Sequence, residues 1–238
     1  MMQWFQNIVV LTGAGVSAES GLPTFRDSGG LWEGVNPEEV ASAVAYELDP
    51  WNVNSFFNAR RSAAQRVIPN AAHVALAKLQ KTEGISCYLV TQNIDNLHER
   101  AGSPQVHHIH GELLKQRCHD CGHVSDMYGD IDVETACPHC KCTGMARPHV
   151  VLFGEIPIAF DKAIEATSRC DLFISIGTSG SVYPAASLVS VAYDAGIPTI
   201  CANLEILSDG MFDIHIEGAA TKTIPDLVER ILSGNLNL

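Results

Sequence analysis

The chain has 238 residues, of which 46% are hydrophobic and 18% charged, with 19 Gly and 11 Pro scattered along it. That is the composition of a folded globular protein large enough to bury a core, and it excludes wholesale disorder and a disulfide-stapled miniprotein. The formal net charge is −12 from 15 basic and 27 acidic residues; no basic stripe marks a nucleic-acid footprint, and the acidity favours encounter with cationic, Lys-rich proteins. Apolar runs such as 8–11 and 172–176 fall far short of the roughly 20 residues that cross a bilayer, and the first residues lack a basic n-region. A soluble, cytoplasmic protein without nucleic-acid or membrane partners is therefore expected.

In chain order, a buried strand over 7–12 (NIVVLT) runs into a Gly-rich turn, and the segment 31–69 carries no strand pattern and reads as helices. A helix over 71–80 precedes a strand over 86–91 (SCYLVT), and a helix is expected over 94–101. After a polar stretch over 118–142 come a helix over 158–168, a strand over 171–176 (DLFISI), a helix over 184–195, a strand over 198–202 (PTICA) and a helix over 224–232. Strands alternating with helices predict an α/β fold: a Rossmann-like doubly wound parallel sheet, with a smaller domain made of a zinc ribbon and a helical insertion. The boundaries expected are 1–32, 70–112 and 147–238 for the dinucleotide-type domain, with 33–69 and 113–146 forming the small one.

Four of the eight cysteines fall as Cys118-x2-Cys121 and Cys137-x2-Cys140, with 15 residues between the two pairs. Two knuckles of this spacing close a tetrahedral shell around one zinc ion, and an all-Cys shell leaves no open position, so the metal is structural. Cys142, with His119, His123 and His139 close by, leaves open a substitution of one ligand. Cys87, Cys170 and Cys201 sit in apolar segments and read as buried thiols. A ribbon this small cannot bury enough surface to stand alone, so metal binding supplies much of its folding free energy.

In an open α/β sheet, ligands collect outside the carboxyl ends of the strands. Four such ends are polar or Gly-rich: Gly13-Ala14-Gly15-Val16-Ser17, Gln92-Asn93-Ile94-Asp95, Gly177-Thr178-Ser179 and Asn203-Leu204-Glu205. Gly13 and Gly15 permit a tight turn and close approach of backbone N–H groups to a pyrophosphate at a helix N-terminus. GAG is not the full GxGxxG, however, and a bare Gly turn is as often purely structural. Asn93 and Asp95 read equally as caps of the helix that follows, and His110, in the stretch His107, His108, His110, reads equally as a structural histidine.

Taken together and in order, the run 13–26, Gln92-Asn93-Ile94-Asp95, His110-Gly111, the paired CxxC, the run 147–155 (RPHVVLFGE) and Gly177-Thr178-Ser179 resemble the sirtuins, NAD-dependent protein-lysine deacylases, across essentially the whole chain. The short length resembles bacterial members. The resemblance implies that Gly13, Ala14, Gly15, Ser17, Ala18, Glu19 and Thr24 hold NAD, with Phe25 and Arg26 on a lid over the nicotinamide ribose and Trp32 ending the segment. It implies that Gln92, Asn93, Ile94 and Asp95 line the nicotinamide and ribose pocket, with Asn93 and Asp95 sharing the catalytic work of His110, the general base. Gly177, Thr178, Ser179, Asn203, Leu204, Glu205 and Ala220 would hold the adenosine half. Val150, Leu152, Phe153, Gly154 and Glu155 would pair as a strand with the substrate backbone, a mode in which main-chain bonds bind and side chains discriminate little.

The implied reaction consumes NAD as a co-substrate and transfers the acyl group to ADP-ribose, giving nicotinamide, free lysine and O-acyl-ADP-ribose. Activating a ribose hydroxyl needs a base neutral near pH 7, and an imidazole of unperturbed pKa ~6.5 suits it. Implied with it are one structural zinc and acyl-lysine proteins or peptides as partners. Sirtuins that prefer succinyl or malonyl groups carry Tyr-x-x-Arg where this chain has Phe57-x-x-Arg60; the spacing puts both side chains on one helix face. Arg60 offers a fork for a carboxylate, Phe57 lacks the hydroxyl, and Ala41 leaves room for a larger acyl group, so desuccinylation or demalonylation stays open beside deacetylation. The rival readings are a mono-ADP-ribosyltransferase, a hydride-transfer oxidoreductase and a non-catalytic NAD-sensing zinc-ribbon protein.

Overall fold

The structure is a computed structural model that describes residues 5–24, 35–180, 182–206 and 210–236. Strand β1 (Asn7–Thr12) leads through two short 3-10 turns toward helices α1 (Pro37–Val40), α2 (Ala43–Leu48), α3 (Pro50–Arg66) and α4 (Ala71–Lys81). Next come β2 (Ser86–Thr91), α5 (Leu97–Arg100), β3 (His107–His108), β4 (Gly111–Cys118), β5 (Val124–Asp126) and β6 (Ala146–Val150). The chain continues through α6 (Phe160–Thr167), β7 (Leu172–Ile176), α7 (Leu188–Asp194), β8 (Thr199–Asn203), β9 (Ile214–Glu217) and α8 (Ala220–Leu232).

Six strands form one sheet in the order β3-β2-β1-β7-β8-β9, and every neighbouring pair is parallel. This is the doubly wound dinucleotide-fold arrangement, with the winding direction reversing between β1 and β7. Alternation along β1 explains why its sequence is apolar throughout. Ile8 and Val10 join Leu76, Leu79, Leu227 and Ile231 on the face covered by α4 and α8. Val9 and Leu11 join Phe173, Ala163 and Leu188 on the face covered by α6 and α7. With both faces buried, each large aliphatic contributes about 1.5–3 kcal/mol.

A second, antiparallel sheet has the order β5-β4-β6, with a register shift in β4 between Glu112 and Gln116. Its inner side packs Leu113, Val150 and Leu152 against Val53, Phe56 and Phe57 of α3. Asp49 starts α3 by accepting the amides of Trp51 and Asn52, both at 3.1 Å. Arg61 of the same helix is fully buried and donates Nε to the Leu113 carbonyl at 2.8 Å and Nη1 to Asn58 Oδ1 at 2.6 Å. A cation thus ties α3 to the small sheet, and burial lowers its pKa to about 10.

Several boundaries differ from the sequence expectation. The helix expected over 94–101 is only α5, because the Asp95 carboxylate accepts the Leu97 amide at 3.0 Å and starts the helix two residues later. The helix expected over 184–195 is a 3-10 turn, Ala185–Ser187, followed by α7. That over 158–168 begins at Phe160, and the last helix begins at Ala220 and carries Pro225 in its first turns. Only Val150 of the segment 150–155 lies in a strand; beyond it Gly154 turns at φ 91°. The segment 31–69 is helical from Pro37 onward, as its pattern predicts.

Candidate active site

A cleft of about 720 Å³ opens where the carboxyl ends of β1, β2, β7 and β8 converge beside the small sheet and α3. The four strand-end loops singled out in the sequence, through Gly13, Ala14, Gly15 and Ser17 of the first and 92–95, 177–179 and 203–205 of the others, border it together with Ala18, Glu19, Thr24, His110 and Ala220. Its other wall contains Ala41, Phe57 and Arg60, and Val150 with the segment 152–155. Every described candidate other than the four knuckle cysteines thus borders one cavity. Phe25, Arg26 and Trp32 lie outside the described residues.

The glycine loop is shaped by its neighbour strand. Gly13 donates its amide to the Ile176 carbonyl and Gly15 to the Gly177 carbonyl, each at 2.9 Å. A Cβ on Gly15 would sit 2.7 Å from Gly177 Cα, and one on Gly177, whose φ is +61°, would sit 2.6 Å from Val16 N. These glycines are needed because two backbones lock together at the switch point of the sheet. The loop continues as 3-10 turns, Ala14–Val16 and Ala18–Ser20, not as the α-helix expected. Glu19 accepts the Thr221 amide at 3.0 Å, so its carboxylate caps α8 at the rim.

Ser17 is the hub of the polar floor. His73 Nδ1 accepts the Asn70 amide at 3.2 Å, so its Nε2 carries the proton and donates to Ser17 Oγ at 3.3 Å. Asn93 Nδ2 also donates to Ser17 Oγ, at 3.2 Å, and Ser17 gives its own proton to Asp95 Oδ2 at 3.1 Å. Burial pushes the Asp95 carboxyl up, opposed by its bonds from Leu97 and Ser17. Burial lowers His73 to about 4, keeping it neutral. His110 faces the Gln92 carbonyl through Nδ1 at 3.1 Å. A carbonyl only accepts, so Nδ1 holds the proton and Nε2 keeps its lone pair on the cleft side. Burial lowers the His110 pKa below the ordinary value, and the arrangement is that of a neutral base.

On the wall formed by α3, Phe57 is fully buried and stacks edge-on with Phe56 at 5.3 Å. Arg60 donates Nη1 to the Phe56 carbonyl at 2.8 Å, and its guanidinium carbon lies 3.2 Å from the Phe56 ring centre. Glu155 borders the cleft, yet both of its carboxylate oxygens are held by Arg147, at 2.7 and 3.0 Å, and one also accepts the Leu152 amide at 2.8 Å. It shapes the turn that follows β6. The amides of Val151 and Phe153 bond to the carbonyls of His110 and Ala41, both at 2.9 Å.

The four knuckle cysteines gather at the far end of β4. Their sulfur atoms all lie within 4.8 Å of one another, with Cys118 to Cys140 and Cys121 to Cys137 both at 3.7 Å. A tetrahedral ion with Zn–S bonds of about 2.3 Å sets sulfurs about 3.8 Å apart, so this donor set fits a structural zinc. Cys142 stands beside Asp120, 3.9 Å away, outside that shell. Cys87, Cys170 and Cys201 carry free thiols, as read from the sequence; Cys170 and Cys201 are buried and Cys87 half-buried.

Comparison with known proteins decides the family. The model described as Sir2 family matches residues 13–184. The chain belongs to the Sir2 family. It is 50% identical over 230 residues to an NAD-dependent protein deacylase of Escherichia coli strain K12, spanning 95% of this chain and 82% of that one. It is similar to a solved Sir2 homologue in complex with NAD, with a TM-score of 0.86 and 37% identity over 96% of this chain and 90% of the other. It also resembles the structure of a Sir2 protein bound to a myristoylated histone peptide, with a TM-score of 0.73 and 35% identity over 95% and 91% of the two chains. Sequence reasoning missed His73 and Asn70 of this sirtuin, which reach Ser17 and its loop from α4. It also missed Leu22, Ala63, Ala64 and Leu113, which complete the apolar wall. Apolar and capping residues of this kind carry no local signal of a site.

Proposed function

We propose that this sirtuin is an NAD-dependent protein-lysine deacylase that releases nicotinamide and O-acyl-ADP-ribose, and that it works in the cytoplasm. The observation that carries the reading is His110, fixed through Nδ1 and with Nε2, unpartnered among the described residues, toward a cleft whose floor is Ser17, Asn93 and Asp95. Bound NAD would supply an electrophilic anomeric carbon, its pyridinium leaving as neutral nicotinamide with the electron pair of the broken bond. The loops 13–19, 177–179 and 203–205 with Ala220 hold the adenosine and phosphate half; Gln92, Asn93, Ile94 and Asp95 hold the nicotinamide ribose, and His110 Nε2 takes a proton from a ribose hydroxyl. Positioning by these rigid strand ends supplies much of the barrier reduction. The domain boundaries 1–32, 70–112 and 147–238 against 33–69 and 113–146 follow the same division of labour.

Acyl-lysine peptide enters beside Val150, Leu152, Phe153, Gly154 and Glu155. Because the amides of 151, 152, 153 and 155 are already bonded within the protein, the amide of this segment left for main-chain pairing with substrate, among the described residues, is that of Gly154. The acyl chain lies against Ala41 and Phe57 with Arg60 at its far end. Acetyl is the primary group removed, and succinyl is removed more slowly because Phe57 offers no hydroxyl.

The test is incubation with NAD and matched acetyl-lysine and succinyl-lysine peptides, following peptide mass and free nicotinamide together. Stoichiometric nicotinamide and deacetylated peptide are expected. The Phe57→Tyr variant is expected to raise the succinyl rate relative to acetyl by about tenfold, the equivalent of roughly 1–2 kcal/mol for one hydrogen bond to a carboxylate. ADP-ribose appearing on protein with no peptide turnover would replace this reading with mono-ADP-ribosyl transfer.

A further inference from the structure

Four consecutive carbonyls, from Thr91 to Ile94, are all taken by one stretch of chain, 108–113. Ile109 N reaches the Thr91 carbonyl at 3.1 Å and Leu113 N the Ile94 carbonyl at 2.8 Å. Between them, His110 Nδ1 reaches the Gln92 carbonyl at 3.1 Å and His108 Nδ1 the Asn93 carbonyl at 3.0 Å. Two histidines two positions apart thus grip adjacent peptide groups of the loop, but they differ in their second nitrogen. His110 Nε2 faces the cleft, whereas His108 Nε2 lies 2.7 Å from Glu99 Oε1. A carbonyl and a carboxylate both accept only, so His108 donates from both nitrogens and is an imidazolium.

We propose that the His108–Glu99 pair is a positioning unit for the reaction: it locks the Asn93 carbonyl, and with it the orientation of the Asn93 and Asp95 side chains on Ser17. The proposal rests on the deacylase reading. Among the described residues Asn93 is otherwise held by neutral bonds, its amide to Thr91 Oγ1 at 3.0 Å and its Nδ2 to Ser17 Oγ at 3.2 Å. The bond from His108 is the charge-assisted one, made where water is excluded, since His108 is only 8% exposed. The charged and titratable groups around His108 are Glu99 and His98 of α5, Asp95 of the loop, His107 beside it and Glu112 of β4. Burial pushes His108 down, and the bond and charge of Glu99 more than offset it, so the net displacement is upward. The same positive charge favours the ionised form of Asp95 against its own burial.

Three variants of the whole protein separate this role from a merely structural one. His108→Leu removes donor and charge, His108→Asn keeps a donor near the Nδ1 position, and Glu99→Gln keeps an acceptor and removes the carboxylate charge. Each is assayed for kcat, peptide KM, nicotinamide exchange, NAD affinity by calorimetry, zinc content and Tm. The His108 ring is titrated by ¹⁵N NMR in wild type and Glu99→Gln. His108→Leu is expected to lower kcat and nicotinamide exchange by about tenfold or more with peptide KM within about twofold, and His108→Asn to recover most of the loss. Glu99→Gln is expected to lower exchange several-fold and to move the His108 titration below the ordinary histidine range; if His108→Leu does not fold, these two variants decide. Exchange within twofold of wild type in every folded variant, or a fall in kcat and Tm accompanied by a rise in peptide KM, would overturn the proposal. A wild-type protein that turns over no acyl peptide defeats the deacylase reading instead, while a His108 that titrates below the ordinary range in wild type defeats the pair itself.

Discussion

Among the described residues the His110 ring has one protein partner, the Gln92 carbonyl, and that bond decides which nitrogen would act as the proposed base. Because burial holds its pKa below the ordinary 6.5, the neutral base is the dominant form at pH 7, and activity is lost only when acid protonates Nε2. The acid limb of kcat/KM is expected below pH 6.5, and an acid limb above 7 would mean that another group titrates. His110→Ala is expected to lower deacylation by about 10²–10⁴-fold while NAD binding, measured by calorimetry, is retained. At this scale the sequence was informative about the paired cysteines, whose spacing brings four sulfurs together, whereas His110 was singled out by the resemblance and not by its residue type. The sequence was uninformative about Ser17 as a hub, because His73 reaches it from α4, 56 positions away, and no spacing rule links them.

Strand β4 carries Leu113 in the apolar cluster under α3 and ends on Cys118, so one element joins the apolar wall of the cleft to the knuckles. The small sheet has few large apolar residues of its own beyond this seam, and the sulfur cluster supplies the remaining constraint on 118–146. Chelation of zinc is expected to release protection from hydrogen exchange across β4 to β6 first, with β1, β2 and β7 unchanged, and to abolish peptide turnover before NAD binding. Uniform exchange after chelation would contradict an independent metal-held element. Elements were legible where burial on both faces makes a strand continuously apolar, as in β1, β2, β7 and β8. They were illegible where a strand alternates charged and apolar residues without a turn signal, as in β4 (GELLKQRC), or where proline sits within it, as Pro148 does in β6. The length of α5 was misread because Asp95 serves the Ser17 hub and the helix start together, which moves the first helical residue to Leu97.

For the molecule as a whole, the buried histidines set how stability depends on pH. His73 and His98 are lowered by burial, His73 to about 4 and His98 well below its usual value, and His107, His110 and His149 are lowered in the same way. Between the unfolded value near 6.5 and these folded values, the unfolded chain binds protons that the native one does not, so stability falls as pH falls through that window. His108 acts in the opposite sense, contributing below 6.5 and losing its contribution as pH rises through its raised folded value, but it is one group against five. Glu99 and Glu155, held below 4.5 by His108 and Arg147 against burial, add a second loss only at lower pH. His73 alone accounts for on the order of 3 kcal/mol once pH reaches its folded value, and roughly half of that is felt by about pH 5. Acidification also relieves the self-repulsion of a chain with net charge −12, so the comparison is best made at about 0.5 M salt, where surface charge is screened. Under those conditions Tm is expected to be at least about 5 °C lower at pH 5 than at pH 7.5. A Tm unchanged between these two values would mean that the native state admits protons to His73 and His98, and so that the floor beneath Ser17 opens without unfolding.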